Sequence, residues 1–140
     1  MKTLEEIEIL EGLIRGAISP DSKEFRPCAF FDDRLDCIRV IARDCSVCEE
    51  RINDRLTVLI DNYHERRPDS MKYVGFTIKG ARHACRELGL DLSAPIKMTS
   101  LLDAMLASWP DTDVMIFVDK IARPMIEQAN IKSIEMPLAA

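Results

Sequence analysis

Two stretches of the sequence decide the fold: CIRVIARD at residues 37–44 and YVGFTIK at residues 73–79. Hydrophobic and polar side chains alternate along both, a period of two that is typical of strands burying one face of a sheet. The positions predicted to face inward are hydrophobic: Ile38, Val40, Ala42, Val74, Phe76 and Ile78. Short strands with short connections pair antiparallel, so we predict an antiparallel sheet around these two strands.

The rest of the sheet follows from the segments around these stretches. In chain order they are a strand at 28–32, a turn at 33–36, a third strand over 47–53 and 56–61, and a polar loop at 62–72. We predict that the third strand is kinked around Asn53-Asp54, where its two halves meet.

Helical spacing of hydrophobic residues predicts three helices, over residues 3–18, 81–88 and 100–109. Thr3 and Glu6 have the spacing of a capping box, in which each side chain satisfies a free backbone N–H of the first turn. Gly89 is suited to end the second helix in the left-handed conformation. The third helix ends before Pro110, because proline cannot continue it.

Residues 114–118 (VMIFV) fit two interpretations. The unbroken run of β-branched and aromatic residues suits a buried strand, but the hydrophobic spacing from Val114 to Ala129 also fits a helix. Pro124 favours a break, because proline disrupts a helix interior and is tolerated in a first turn. We predict a strand at 114–118, a helix at 122–130 and an extended piece at 131–136.

These elements predict an α+β fold: a central twisted antiparallel sheet of about four to five strands, flanked by an N-terminal helix and C-terminal helices. The 140 residues suit a single domain, 1–140. Its parts are an N-terminal helix in 1–20, the sheet in 28–80, and a helical region with room for one added strand in 81–140.

Composition limits the function classes. The chain is 47% hydrophobic and 31% charged, so it should fold, and its net charge of −5 argues against a broad nucleic-acid surface. Since no apolar run approaches the roughly 20 residues of a membrane helix, we expect no membrane partner. An odd count of five cysteines, without a secretory leader, predicts reduced thiols and a cytoplasmic location. We expect no cofactor.

Residues 28–82 resemble a small bacterial β-sheet family of unknown function. The likeness lies in the order of the strands and in VGFTIKGA at 74–81, where Gly75, Phe76 and Ile78 match the family's glycine, hydrophobe and isoleucine. The long polar loop and both flanking helical regions depart from that family. The resemblance supports the sheet and implies no activity.

Cys45 and Cys48 form a CxxC, a spacing found in zinc and redox sites. Such a site needs a turn between the cysteines, and a structural zinc needs two further ligands. We favour the alternative that these residues are small buried hydrophobes, and we predict no metal.

The two histidines and the aspartates Asp32, Asp33, Asp36 and Asp61 offer weak acid–base candidates. We interpret His64 as a solvated loop residue rather than a catalytic base, and a nucleophilic pair of Cys85 with His83 or His64 lacks any orienting group. Asp32, Asp33 and Asp36 cluster at a turn, where aspartates commonly bind backbone N–H groups. We therefore predict no catalytic residues.

The outward positions of the strands give the surface of most interest: Arg39, Arg43, Thr57, Tyr73, Thr77 and Lys79. Basic residues beside an aromatic can bind an anion or a nucleic-acid single strand. The acidic chain and the lone aromatic favour instead a face that is solvated, or covered by a helix or a second subunit.

We expect an interaction or assembly module that self-associates as a homodimer, with a protein partner as a further option. The N-terminal helix and Met98 to Trp109 are the apolar elements predicted to be available. The alternative is a small-ligand binding domain or enzyme with a sheet-edge pocket near Asp32, Asp61, His64 and Tyr73. The candidate ligand-binding residues are Arg39, Arg43, Asp61, His64, Tyr73 and Lys79.

Overall fold

A computed structural model describes residues 25–66 and 71–135. Its centre is a five-stranded antiparallel sheet with the strand order β1-β2-β5-β4-β3. The strands are β1 (Cys28–Asp32), β2 (Cys37–Ile41), β3 (Val47–Arg51), β4 (Leu56–Asp61) and β5 (Tyr73–Lys79). The predicted α+β fold and its antiparallel sheet are confirmed. The predicted helix at 3–18 lies outside the described residues.

Residues 47–61 form a hairpin, so the prediction of one kinked strand is wrong. β3 and β4 pair antiparallel, with Arg51 opposite Thr57 and Val47 opposite Asp61. The Asn53 side-chain oxygen accepts the backbone N–H groups of Arg55 at 2.7 Å and Leu56 at 2.9 Å. These hydrogen bonds form an Asx turn, which reverses the chain direction at the position where we predict a kink.

Four helical segments follow the sheet: α1 (Ala81–Leu88), α2 (Met98–Ser108), α3 (Thr112–Ile116) and α4 (Arg123–Ala129). A π-helical segment, Phe117–Ala122, joins the last two. α1 confirms its prediction: it spans the predicted residues, and Gly89 ends it at φ 70°. α2 begins at Met98, before the predicted start at residue 100.

The strand predicted at 114–118 is wrong, because residues 112–129 are helical throughout. The π-helical segment explains how the helix continues past Pro124. Its i→i+5 hydrogen bonds end just before α4, so the proline falls in the first turn of α4, where it has no hydrogen bond to break. The helix predicted at 122–130 forms the end of this longer one.

The C-terminal part of the chain covers one edge of the sheet. Two short strands, β6 (Ile96–Lys97) and β7 (Ser133–Ile134), pair with each other, and the second lies in the predicted extended piece. Beyond them Glu135 bridges to β1: its N–H donates to Ala29 O at 2.8 Å and its carbonyl accepts Phe31 N–H at 3.0 Å. The middle of the β1 edge is therefore hydrogen-bonded to the chain itself.

The described helices all contribute to one core, on the face of the sheet that carries Val40, Val58 and Phe76. The ring of Phe76 meets that of Phe117 edge to face, with the centroids 4.9 Å apart. Met98 and Trp109 are buried in the same core. The prediction that this segment is available to a partner is therefore wrong.

Candidate functional site

The structure divides the predicted site residues between the two ends of the sheet. At the Tyr73 end, β1, β3 and β5 begin while β2 and β4 end, which brings Arg43, Asp61 and Tyr73 together. Lys79 and Asp32 lie at the opposite end of the sheet, since both are paired with Cys37, the first residue of β2. Arg39 lies in the middle of β2 and belongs to neither end.

Asp32 therefore cannot join Asp61, His64 and Tyr73 in one pocket. The cause is the hairpin within residues 47–61, which adds one reversal of the chain. That reversal inverts the direction of every later strand and moves Asp61 and Tyr73 away from Asp32. The prediction of one pocket near all four residues is therefore wrong, because Asp32 lies at one end of the sheet and Asp61 and Tyr73 lie at the other.

Asp61 fixes the turn that follows β4. Its carboxylate is fully buried; one oxygen accepts the Tyr63 N–H at 2.8 Å, and the other lies 3.4 Å from Arg43 Nη1. The Nδ1 of His64 donates to the Asp61 carbonyl oxygen at 3.2 Å. Hydrogen bonds from backbone and guanidinium offset the cost of burying this charge. The half-buried His64 thus has a structural contact within the turn.

A cleft of about 240 Å³ lies beside this turn, between the end of the sheet and α4. Two predicted residues line it, Arg43 and Tyr73. Gln128 adds an amide from α4, and the apolar walls include Met71, Val74 and Met125. Sequence reasoning missed the α4 side chains, because residues in that part of the chain could not be placed relative to the sheet.

The aspartates at the opposite end of the sheet make hydrogen bonds and ion pairs that hold the β1–β2 turn and the start of α1. Asp32 Oδ1 accepts two backbone N–H groups, those of Arg34 and Leu35, each at 3.1 Å. Asp36 Oδ1 accepts the Arg82 N–H at 3.0 Å at the start of α1, and the Arg82 side chain pairs with Asp33. The interpretation as turn-forming aspartates is confirmed for Asp32, whereas Asp33 and Asp36 connect the turn to α1.

The cysteines do not behave as predicted at the CxxC. Cys48 is exposed on β3 and Cys45 is half-buried, so the expected burial of Cys48 is wrong. Among the described residues, no group of three or more His, Cys, Asp or Glu side chains is placed to hold a metal ion. Burial raises the pKa of the thiols of Cys28, Cys37 and Cys85.

His83 and Cys85 are separated by the geometry of α1. The imidazole is exposed and its Nε2 lies 2.9 Å from Glu87 Oε1, one helical turn away, whereas Cys85 is buried in the core. Their side chains therefore point to different sides of the helix, as a two-residue spacing requires.

The free edge of the sheet is β3, whose five residues are all exposed. The β3–β4 hydrogen bonds use Ser46 and Ile52, so by alternation the even-numbered residues bond to β4. The N–H and C=O groups of Val47, Glu49 and Arg51 consequently point away from the sheet. Within the described part of the chain, no other strand pairs with this side of β3.

Exposed apolar side chains lie at one end of this edge. Val47 is 38% exposed and Tyr63 is 45% exposed, and the Ser46–Asn62 hydrogen bond, at 3.0 Å, holds their two chain segments together. The β3 edge thus combines unpaired backbone groups with an apolar border.

Of the described helices, none is both long enough and apolar enough to cross a bilayer. A scan of the sequence against protein-family models found no match, and searches of curated proteins and of solved structures found none either.

Proposed function

We propose that this protein is an interaction module that self-associates through the free edge of its sheet. The observation that carries the proposal is the asymmetry of the two edges: Glu135 bridges to the middle of β1, whereas no described residue pairs with the outward side of β3, whose five residues are exposed. A bare edge strand is a template for pairing with another strand. A second copy is the simplest partner, because β3 can meet its own counterpart across a two-fold axis.

Charge selects the register of this pairing. A two-fold axis at Glu49 or at Glu50 places a glutamate opposite its own counterpart, which is unfavourable. An axis at Cys48 places Val47 opposite Glu49 and leaves no like charges directly opposite. It also matches the outward N–H and C=O groups of Val47 and Glu49 as a hydrogen-bonded pair.

Oxidative cross-linking tests both the pairing and its register. In the Cys48-centred register the two Cys48 residues form a non-hydrogen-bonded pair, with Cα atoms about 4.5 Å apart, close enough for a disulfide. Diamide, which removes two electrons and two protons from a pair of thiols, should give a covalent dimer of the full chain. Cys48→Ser should abolish it.

A matched variant moves the thiol by two residues on the same face: Cys48→Ser combined with Glu50→Cys. The two introduced thiols would lie four residues apart along the paired strands, roughly 13 Å, too far to bridge. Equal cross-linking of both proteins would contradict the proposed register, and no Cys48-dependent dimer would contradict the pairing.

The cleft at the Tyr73 end supports a second candidate function, the binding of a small amphipathic anion. Arg43 contributes a half-buried guanidinium whose Nη1 lies 3.4 Å from Asp61 Oδ2, and Met71 and Met125 provide apolar walls. Such a site suits a carboxylate with a short apolar tail. Titration with hexanoate should shift the methyl resonances of these methionines.

Arg43→Gln should weaken these shifts at least tenfold, while Arg86→Gln, an exposed arginine on α1, should leave them unchanged. Methionine methyls that do not move at millimolar hexanoate would refute this second candidate.

A further inference from the structure

A groove larger than the cleft at the Tyr73 end lies between the first turn of α2 and the last turn of α4. We call it the α2–α4 groove; its volume is about 530 Å³, against about 240 Å³ for that cleft. Pockets that bind small molecules usually measure roughly 300–1,000 Å³. Lys97 of β6 and Ser133 of β7 form one border, so the groove lies on the β1 side of the sheet, away from β3.

The floor of the α2–α4 groove is apolar. Met98 begins α2, Ile126 lies in α4 and Ile131 follows that helix, and all three line the groove. Each is almost fully buried and belongs to the main core. Because core packing already holds these side chains in place, little of the free energy of binding would be spent on ordering the floor.

The end of α4 places two lysines next to each other at the border of the groove. Asn130 adopts the left-handed conformation at φ 57°, which ends the helix and turns the chain towards α2. The carbonyl oxygen of Lys132 then accepts the Met98 N–H at 2.9 Å, and Ser133 pairs with Lys97. The backbones of Lys97 and Lys132 therefore lie on neighbouring segments, and their long stems can bring both ammonium groups to one anion.

The groove carries a surplus of positive charge, although the whole chain has a net charge of −5. Lys97 and Lys132 line it and are exposed, and neither has an ion pair within the part of the chain that the structure describes. Glu127, on α4, is the one acidic residue in the lining. Thr99 and Ser133 add hydroxyl groups beside the lysines. The polar border is therefore complementary to an anion, while the floor is complementary to an apolar chain.

We propose that the α2–α4 groove binds a carboxylate that carries an alkyl chain of medium length. The carboxylate lies between the ammonium groups of Lys97 and Lys132, which form charge-assisted hydrogen bonds with it. The alkyl chain lies on the floor, and the apolar stems of the lysines cover part of it. Glu127 repels the carboxylate, so the head of the ligand lies towards the β6–β7 pair and the chain extends towards α4.

Titration of the full chain with decanoate tests this proposal by NMR. The methyl resonances of Met98, Ile126 and Ile131 should shift and saturate below millimolar concentration. Octanoate, which is two methylenes shorter, should bind about tenfold more weakly, because it buries less apolar surface. Decyltrimethylammonium, which has a chain of the same length and a positive head, should leave these resonances in place.

Two results of this titration would overturn the proposal. One is the absence of any shift of the floor methyls at millimolar decanoate, including the case in which only Met71, in the cleft at the Tyr73 end, responds. The other is equally tight binding of the cationic decyl compound, since the lysines would then play no part.

Variants at the exposed border test the charges separately. Lys97→Gln combined with Lys132→Gln should weaken decanoate binding about tenfold or more, and Glu127→Gln should tighten it by removing the repulsion. Lys120→Gln, at an exposed lysine of the π-helical segment, is the control and should leave the affinity unchanged. An unchanged affinity in the double lysine variant, or weaker binding by Glu127→Gln, would contradict the proposal. The groove and the β3 edge are separate surfaces, so this result stands apart from that of the cross-linking experiment.

Discussion

Replacing Thr57 by valine should stabilise the protein, although most substitutions at buried positions destabilise. Thr57 is 3% exposed, and its buried hydroxyl has no hydrogen-bond partner among the described residues. Valine has nearly the same shape, keeps the β-branch that suits a strand, and removes the polar atom. The substitution therefore removes a desolvation cost and leaves the packing intact.

The magnitude follows from the cost of the orphaned hydroxyl. An unsatisfied buried polar group costs about 1–3 kcal/mol, and a hydroxyl belongs at the low end of that range. We expect a gain of about 1 kcal/mol in the free energy of unfolding. For a chain of this length, this corresponds to a rise of about 4 °C in Tm, and of about 0.5 M in the urea midpoint.

Urea unfolding followed by circular dichroism and by the fluorescence of Trp109 measures this change. The midpoint should rise while the denaturant dependence of the unfolding free energy stays the same. Thr99→Val, at an exposed position of α2, is the control and should change stability by less than about 0.5 kcal/mol. A lower midpoint for Thr57→Val would refute the reasoning, because it would mean that the hydroxyl makes a hydrogen bond.

Three further outcomes can be measured on single variants. Gly75→Ala should lower the free energy of unfolding by about 1–3 kcal/mol, because the added Cβ meets the Val40 carbonyl and backbone cannot move aside cheaply; unchanged stability would contradict this. Asp61→Ala should cost about 1.5–3 kcal/mol by removing the acceptor of the Tyr63 N–H, and Asp61→Asn, which keeps an oxygen there, should cost less in the same urea titration. Burial raises the pKa of Cys85 above its ordinary value of 9.0, so the folded state keeps its proton where the unfolded state loses it; stability should fall as pH rises beyond that value, and Cys85→Ala should flatten the decline.

The sheet could be predicted where its signal is local. Hydrophobic and polar side chains alternate along residues 37–44 and 73–79 because one face of each strand joins the core with the helices. Gly89 marks a helix end that needs φ above zero. The strand predicted at 114–118 failed because an apolar run of five fits both a buried strand and a buried helix. The helix continues to Pro124 through the π-helical segment, and no residue type in the sequence predicts such a segment.

The candidate site could be predicted only in part. Asp61, His64 and Tyr73 lie near one another along the chain around a single loop, so local reasoning places them together. The position of Asp32 relative to these residues depends on the number of times the chain reverses between them. The prediction lacked the turn at Asn53, so it placed Asp32 at the wrong end of the sheet. The exposed edge of β3 is created by the same hairpin, so it could not be predicted from the sequence either.

Sedimentation equilibrium of the full chain and of Glu49→Pro tests the proposed self-association most directly. The Glu49 N–H points away from β4, so proline there removes an edge donor while the β3–β4 pairing persists. We predict a dimer at micromolar concentration for the natural sequence, and a monomer with unchanged circular dichroism for the variant. A natural chain that stays monomeric at these concentrations, or a proline variant that dimerises equally well, would contradict pairing through β3.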